Sequence, residues 1–179
     1  MKQQRNCFVL WPFGLDVGAR LMVLASTFFS TLIEQRLEKV PMKILIVGGT
    51  SALAQALRPA LSAFAEVISA GREDCDIHLD LSDPVEKMEL PKNCDVVINT
   101  AASFGGGSFE QIYDTESVNV LGALKLCQAC HRAQVRHLIQ ISSTSALLEK
   151  ESVYYGSYAL SKKHSDEIVE LFCSSFDLP

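Results

Sequence analysis

No apolar run in this sequence is long enough to cross a bilayer. Within residues 1–41 the longest uncharged stretch, Leu21 to Ile33, has 13 residues, short of the roughly 20 that a spanning helix needs. A basic head at Lys2 and Arg5 is not followed by an A-x-A cleavage site, so no signal peptide is expected. Lys and Arg form no basic stripe, and the net charge is 16 − 21 = −5; nucleic acid is excluded as the expected partner. The six cysteines are scattered, without the spacing of a disulfide scaffold. Cys127-x-x-Cys130 lies in a helical pattern, "ALKLCQACHRA", and has no second pair at ligand spacing. The cysteines therefore read as reduced residues of a cytoplasmic protein, with no metal site. Internal repeats and low-complexity segments are also missing.

What is there suffices for one globular domain: 179 residues, 48% hydrophobic and 21% charged. Two regions differ in grammar. Residues 1–41 are apolar but broken by Pro12, Gly14, Asp16 and Arg20. They are expected to form a helical or poorly ordered extension, and any membrane contact would come through them. From Met42, strand and helix patterns alternate through to residue 179. "KILIVGG", "EVISAG", "IHLDL", "DVVINTAA" and "RHLIQISS" read as strands. "SALAQALRPALSAF", kinked or shortened by Pro59, "ESVNVLGALKLCQACHRAQ" and "GSYALSKKHSDEIVELFCSSF" read as helices. Such alternation predicts an α/β fold with a parallel sheet covered on both faces.

A sheet of this kind binds ligands at the carboxyl ends of its strands. The first such end is "VGGTSALAQAL", a turn entering a helix, where free N–H groups suit a pyrophosphate. Asp80 in "LDLSD" is placed to accept from an adenine amino group or to cap the following turn. "INTAA" ends the fourth strand with small residues, Ala101 and Ala102, against which a cofactor can lie. "ISSTS" ends the fifth with hydroxyls. Tyr158-x-x-x-Lys162 follows on a helix, and residues four apart share one helix face. A free phenol titrates near ~10, and a neighbouring ammonium favours its ionised form. Such a pair, with a strand-end hydroxyl to hold a carbonyl or alcohol oxygen, suits proton transfer coupled to hydride transfer.

In this order the motifs resemble the short-chain dehydrogenase/reductase superfamily, and most of all its extended branch of sugar-nucleotide epimerases and dehydratases. The resemblance covers Met42 to Pro179. It implies a Rossmann-type doubly wound sheet of order 3-2-1-4-5, a bound NAD(P), and a small carbonyl or sugar-nucleotide substrate. Tyr158, Lys162 and either Ser143 or Thr144 become the implied catalytic group, with Ser143 favoured as the second serine of the "I-S-S" run. The implied cofactor contacts are Gly48, Thr50, Ser51, Ala52, Leu53, Arg72, Asp80, Leu81, Ala101, Ala102, Asn119, Tyr158 and Lys162. Asn119 falls at the family's usual asparagine in "SVNVLGALKLCQAC".

Three departures shape the expectations. The family's G-x-x-G-x-x-G loop is here Gly48 to Ala54, with Ser51 and Ala54 replacing the second and third glycines; a positive φ at Ser51 would weaken cofactor binding. Arg72, near where an acidic residue would accept ribose hydroxyls, favours NADP(H) over NAD(H). Extended members continue with further strands and a substrate domain, which residues 42–179 lack. The fifth strand is then expected to be a bare edge that invites dimerisation or a partner. The alternative to an enzyme is a non-catalytic NAD(P)-binding module or an inactive fragment.

Overall fold

The computed structural model describes residues 41–179 and, by backbone alone, residues 8–10. Six parallel strands form one sheet: β1 (Phe8–Leu10), β2 (Met42–Val47), β3 (Ala65–Gly71), β4 (Ile77–His78), β5 (Val96–Asn99) and β6 (His137–Ile141). Their order is β1-β6-β5-β2-β3-β4. From Met42 onward this is the expected 3-2-1-4-5. Its helices are α1 (Ala52–Leu61), α2 (Phe109–Glu116), α3 (Gly122–Arg132) and α4 (Ser157–Phe176).

Strand β2 shows why an unbroken apolar run is needed. Side chains alternate across a strand, and both sets are buried. Ile44 and Ile46 pack with Leu57 and Leu61 of α1. Leu45 and Val47 face a second core with Leu126, Cys127 and Cys130 of α3 and Val169 and Phe172 of α4. Cys127 and Cys130 are thus core residues, and burial pushes the Cys130 thiol well above its ordinary value.

Register sets the functional edge. Val47 pairs with Ala70 and Asn99, and Asn99 pairs with Gln140. Gly48, Thr100 and Ile141 therefore follow level strand ends. Pro59 shortens α1: Ser62 N still bonds Arg58 O, but the helix ends at Leu61, short of the expected Phe64. The long helix expected from Glu116 begins earlier, at Phe109, capped by Ser108 and Gln111 in a reciprocal box. Between α2 and α3 it passes through a π turn at Ser117–Leu121.

The edge of β6 differs from expectation. Phe8 pairs with Ile139 and Leu10 with Ile141, so a short strand from the N-terminal region covers it. An edge carries unpaired N–H and C=O groups that any extended segment can satisfy, which is the physical reason. The remaining expectations for residues 1–41, a helix or a membrane contact, fall outside the described residues. Among the described residues no helix is long and apolar enough to cross a membrane.

On the opposite side of the sheet, Asp76 fastens β3 to α1. Its Oδ2 accepts from Ser69 N (2.7 Å), Ser69 Oγ (2.8 Å) and Arg58 (2.7 Å). The Ser69 N–H and hydroxyl, with Arg58, hold its carboxyl below the ordinary 3.8. The bonded form is the charged one, so its stabilisation is full above 3.8 and is lost as pH falls through the lower folded value. Asp76→Asn is expected to cost about 1 kcal/mol at pH 7, the half-open site screening the ionic part. Thermal melts of both proteins should converge as the pH is brought below 3.8; a gap that stays constant would refute the assignment.

Candidate active site

The turn after β2 is shaped by lack of room. Gly48 has φ +80°, and a Cβ on it would lie 2.6 Å from Ala101 N, so only glycine fits. Gly48 N and Gly49 N both donate to Ala70 O, at 2.8 and 3.0 Å. Ser51 has φ −65° and ψ 150°, an ordinary extended conformation. The strain expected at the second glycine position is therefore absent. Ser51 instead caps α1, its Oγ accepting from Ala54 N at 3.1 Å. Its hydroxyl also lies 2.9 Å from Thr100 Oγ1, and Thr100 donates to Val47 O at 2.8 Å. Ala54 is buried against β2.

Helix α4 carries the other half of the site as two stripes, each with a spacing of four residues. Ser157, Ser161 and Ser165 form the first. Ser157 Oγ accepts from Gly106 N (3.0 Å) and donates to Gly106 O (2.9 Å). Ser161 Oγ accepts from Asn119 Nδ2 and donates to Tyr158 O, both at 2.9 Å. Ser165 accepts from Gln140 Nε2 at 3.2 Å, and Gln140 accepts from Asn99 at 2.8 Å. These hydroxyls dock the helix on β6 and on the loop that follows β5.

Tyr158, Lys162 and Asp166 form the second stripe. Lys162 Nζ donates to Ile141 O at 2.5 Å, where β6 ends. Asp166 Oδ2 accepts from Ser142 Oγ, while its Oδ1 is buried without a partner. Burial lowers the Lys162 ammonium, and the Asp166 charge partly opposes this. Burial likewise raises Asp166, against the Ser142 hydrogen bond and the Lys162 charge. The Tyr158 ring lies 5.5 Å from that of Phe104, on the loop after β5. A chain of contacts thus runs along one sheet edge: Gly48 to Ala101, then the β5 loop to Tyr158.

The other expected site residues sit as follows. Ala52 and Leu53 open α1; by helix geometry their N–H groups have no backbone acceptor. Thr50 is exposed, and Ala102 is half-buried after β5. Arg72 is exposed just past β3. Asp80 lies two residues beyond the short β4, its Oδ1 accepting from Ser82 N (2.8 Å) and Oγ (2.7 Å). Leu81 turns its side chain into the core. Ser143 caps the 3-10 turn Thr144–Leu147, accepting from Ser145 N at 3.1 Å, and Thr144 is exposed. Asn119 sits in the π turn, 4% exposed. Its Oδ1 accepts from Ser103 N (2.7 Å), and its Nδ2 donates to Ser103 O (2.8 Å) and to Ser161. Asn119 thereby fixes the β5 loop to α4 rather than reaching outward.

Sequence reasoning missed the docking serines, Asp166 and Thr100. Their signal was visible: "SYALSKKHSD" repeats a Ser-plus-functional-residue pair every fourth position. Ser161→Ala leaves one buried Asn119 N–H unpaired. It is expected to lower unfolding free energy by roughly 1–3 kcal/mol, measured by urea titration. A loss well under that range would show that the Asn119 link is not structural.

The edge fits a dinucleotide: a glycine turn with no space for a side chain, small residues opposite, and a helix start with free N–H groups. Solved structures with this fold bear directly on it. A short-chain dehydrogenase/reductase superfamily protein from Agrobacterium tumefaciens with bound NAD superposes with TM-score 0.65 at 19% identity, covering 76% of this chain and 46% of that one. UDP-glucose 4-epimerase from Thermotoga maritima with UDP-glucose gives 0.64 at 19% identity, covering 76% and 53%. UDP-glucuronic acid 4-epimerase from Bacillus cereus in complex with NAD gives 0.58 at 18%, covering 77% and 54%. This chain thus spans about half the length of those proteins. No relative among curated proteins matches it. A model of the NAD dependent epimerase/dehydratase family matches residues 44–179, most of the chain, and the protein belongs to that family.

Proposed function

We propose that this chain binds a nicotinamide dinucleotide along the Gly48–Ser51 turn and carries acid–base chemistry of the epimerase/dehydratase type on a carbonyl or alcohol carbon. The substrate class we favour is a sugar nucleotide. The observation that carries the reading is the Tyr158/Lys162 turn of α4, anchored at the end of β6, two strands from the glycine turn in the same sheet. When bound, the dinucleotide supplies the hydride acceptor or donor.

The chain's residues do the rest. Gly48 gives the pyrophosphate close access, and the Ala52 and Leu53 N–H groups with the α1 dipole hold its charge. Ala101 and Ala102 leave room for the ring to lie on the backbone. Tyr158 gives or takes the proton at the substrate oxygen. Lys162, buried and one turn further on, presents an ammonium in a region where water screens little. Ser143, at the start of the turn after β6, is the hydroxyl we assign to the substrate oxygen, ahead of Thr144. Asp80 and Leu81 border the adenine side, Asp80 with the carboxylate oxygen that Ser82 leaves free.

The finer cofactor reading rests on Arg72. Arg72 is exposed just past β3, and a guanidinium there would suit a 2′-phosphate, which supports NADP(H). The NAD in the neighbours' structures supports the unphosphorylated form. One titration decides: NADPH and NADH fluorescence with wild type, Arg72→Glu and Tyr158→Phe. We expect wild type to prefer NADPH by about five-fold, the worth of about 1 kcal/mol for one solvent-exposed charge pair, and Arg72→Glu to reverse the order. Tyr158→Phe should bind as wild type does but turn over sugar nucleotides roughly 10²–10⁴-fold more slowly. Equal binding with no turnover by wild type would instead establish a non-catalytic dinucleotide module.

A further inference from the structure

Phe104 is 80% exposed, although it is a large apolar side chain beside the proposed acid–base residue. A loose loop does not explain this, because the backbone on both sides is fixed. Before it, Ser103 N and O are both bound by the buried Asn119. After it, Gly105 has φ +79°, with no space for a Cβ against Ser157 and Tyr158. Gly106 is gripped at N and O by Ser157. This bracketing fixes the backbone that carries the ring, which lies tilted against the Tyr158 ring at 5.5 Å and an interplanar angle of 31°. At 80% exposure the rest of the ring's surface is open to a ligand.

We propose that Phe104 is a substrate platform: its ring receives the apolar C–H face of a sugar-type ring and sets that ring against the Tyr158 hydroxyl. This rests on the acid–base reading of Tyr158. Three features select this occupant. The dinucleotide turn at Gly48 touches Ala101, three residues upstream, and from there the loop leads towards α4. Phe104 thus borders the substrate side of the cleft. An aromatic face is electron-rich and attracts the positive ends of C–H bonds. A pyranose offers such a face while leaving its hydroxyl rim to polar groups.

The test measures NADH and UDP-glucose separately on the full chain, by fluorescence for the first and saturation-transfer NMR of the glucosyl protons for the second. Because Phe104 is exposed, Phe104→Ala should fold normally. Its Kd for NADH is expected to stay within about two-fold of wild type. For UDP-glucose in the presence of NADH, Kd should rise roughly three- to ten-fold, with loss of saturation transfer to the glucosyl ring. Phe104→Tyr should restore both. Unchanged UDP-glucose affinity in Phe104→Ala overturns the platform, as does an equal loss of NADH, which would make Phe104 a cofactor wall. Wild type that binds NADH but not UDP-glucose overturns the sugar assignment alone. Wild type that binds neither UDP-glucose nor either dinucleotide, NADH or NADPH, overturns the dinucleotide reading, and the platform with it.

Discussion

The four-residue spacing on α4 is the constraint from which the site follows. An α-helix turns every 3.6 residues, so positions four apart stack on one face with a slow drift. Placing serine at 157, 161 and 165 gives one polar ridge, and Tyr158, Lys162 and Asp166 give the adjacent one. The first ridge is consumed by Gly106, Asn119 and Gln140. Consequently the helix can neither rotate nor slide without breaking two buried links and one exposed one. Tyr158 and Lys162 inherit their direction from that docking. A packed apolar face alone would allow small rotations, since dispersion contacts carry no direction.

The second fixed point is the close approach of Gly48 to Ala101, where the sheet order reverses. Here the two halves meet: the β2 turn and α1 on one side, the β5 loop and α4 on the other. The Ser51–Thr100 link tightens the same junction. Replacing the family's second glycine with serine thus exchanges one device for another. A hydroxyl that caps α1 and reaches across to β5 takes the place of conformational freedom, and the backbone never needs positive φ there.

Strand and helix content was legible because Ile44–Val47 of β2 and Val96–Ile98 of β5 are unbroken apolar runs, as burial on both faces requires. The glycine turn and the Tyr/Lys pair were legible because their spacings reflect local geometry. Three features were not. The π turn at Ser117–Leu121 has no local signature in "SVNVL"; it arises where Asn119 must bond both Ser103 and Ser161. Residues 8–10 lie among apolar residues with no strand periodicity, and their pairing depends on the open edge of β6 rather than on propensity. β4, expected over five residues, pairs over only two because Asp80 bends the chain into its turn with Ser82.

Burying Lys162 shows how the site's cost is met. An ammonium that is 3% exposed loses several kcal/mol of hydration, which a single carbonyl does not offset. The carboxylate of Asp166 supplies the missing counter-charge from one turn away, and Ser142 in turn holds that carboxylate. Ser142 and Ser143 are consecutive on an extended segment, where side chains alternate in direction. One hydroxyl of the "ISS" run therefore goes to Asp166, and its neighbour, on the other side, accepts from Ser145 N. Two adjacent serines at a strand end look redundant in a sequence. Physically they divide the labour: Ser142 holds the Asp166 carboxylate, and Ser143 caps the turn that follows β6, its hydroxyl being the one we propose for the substrate oxygen.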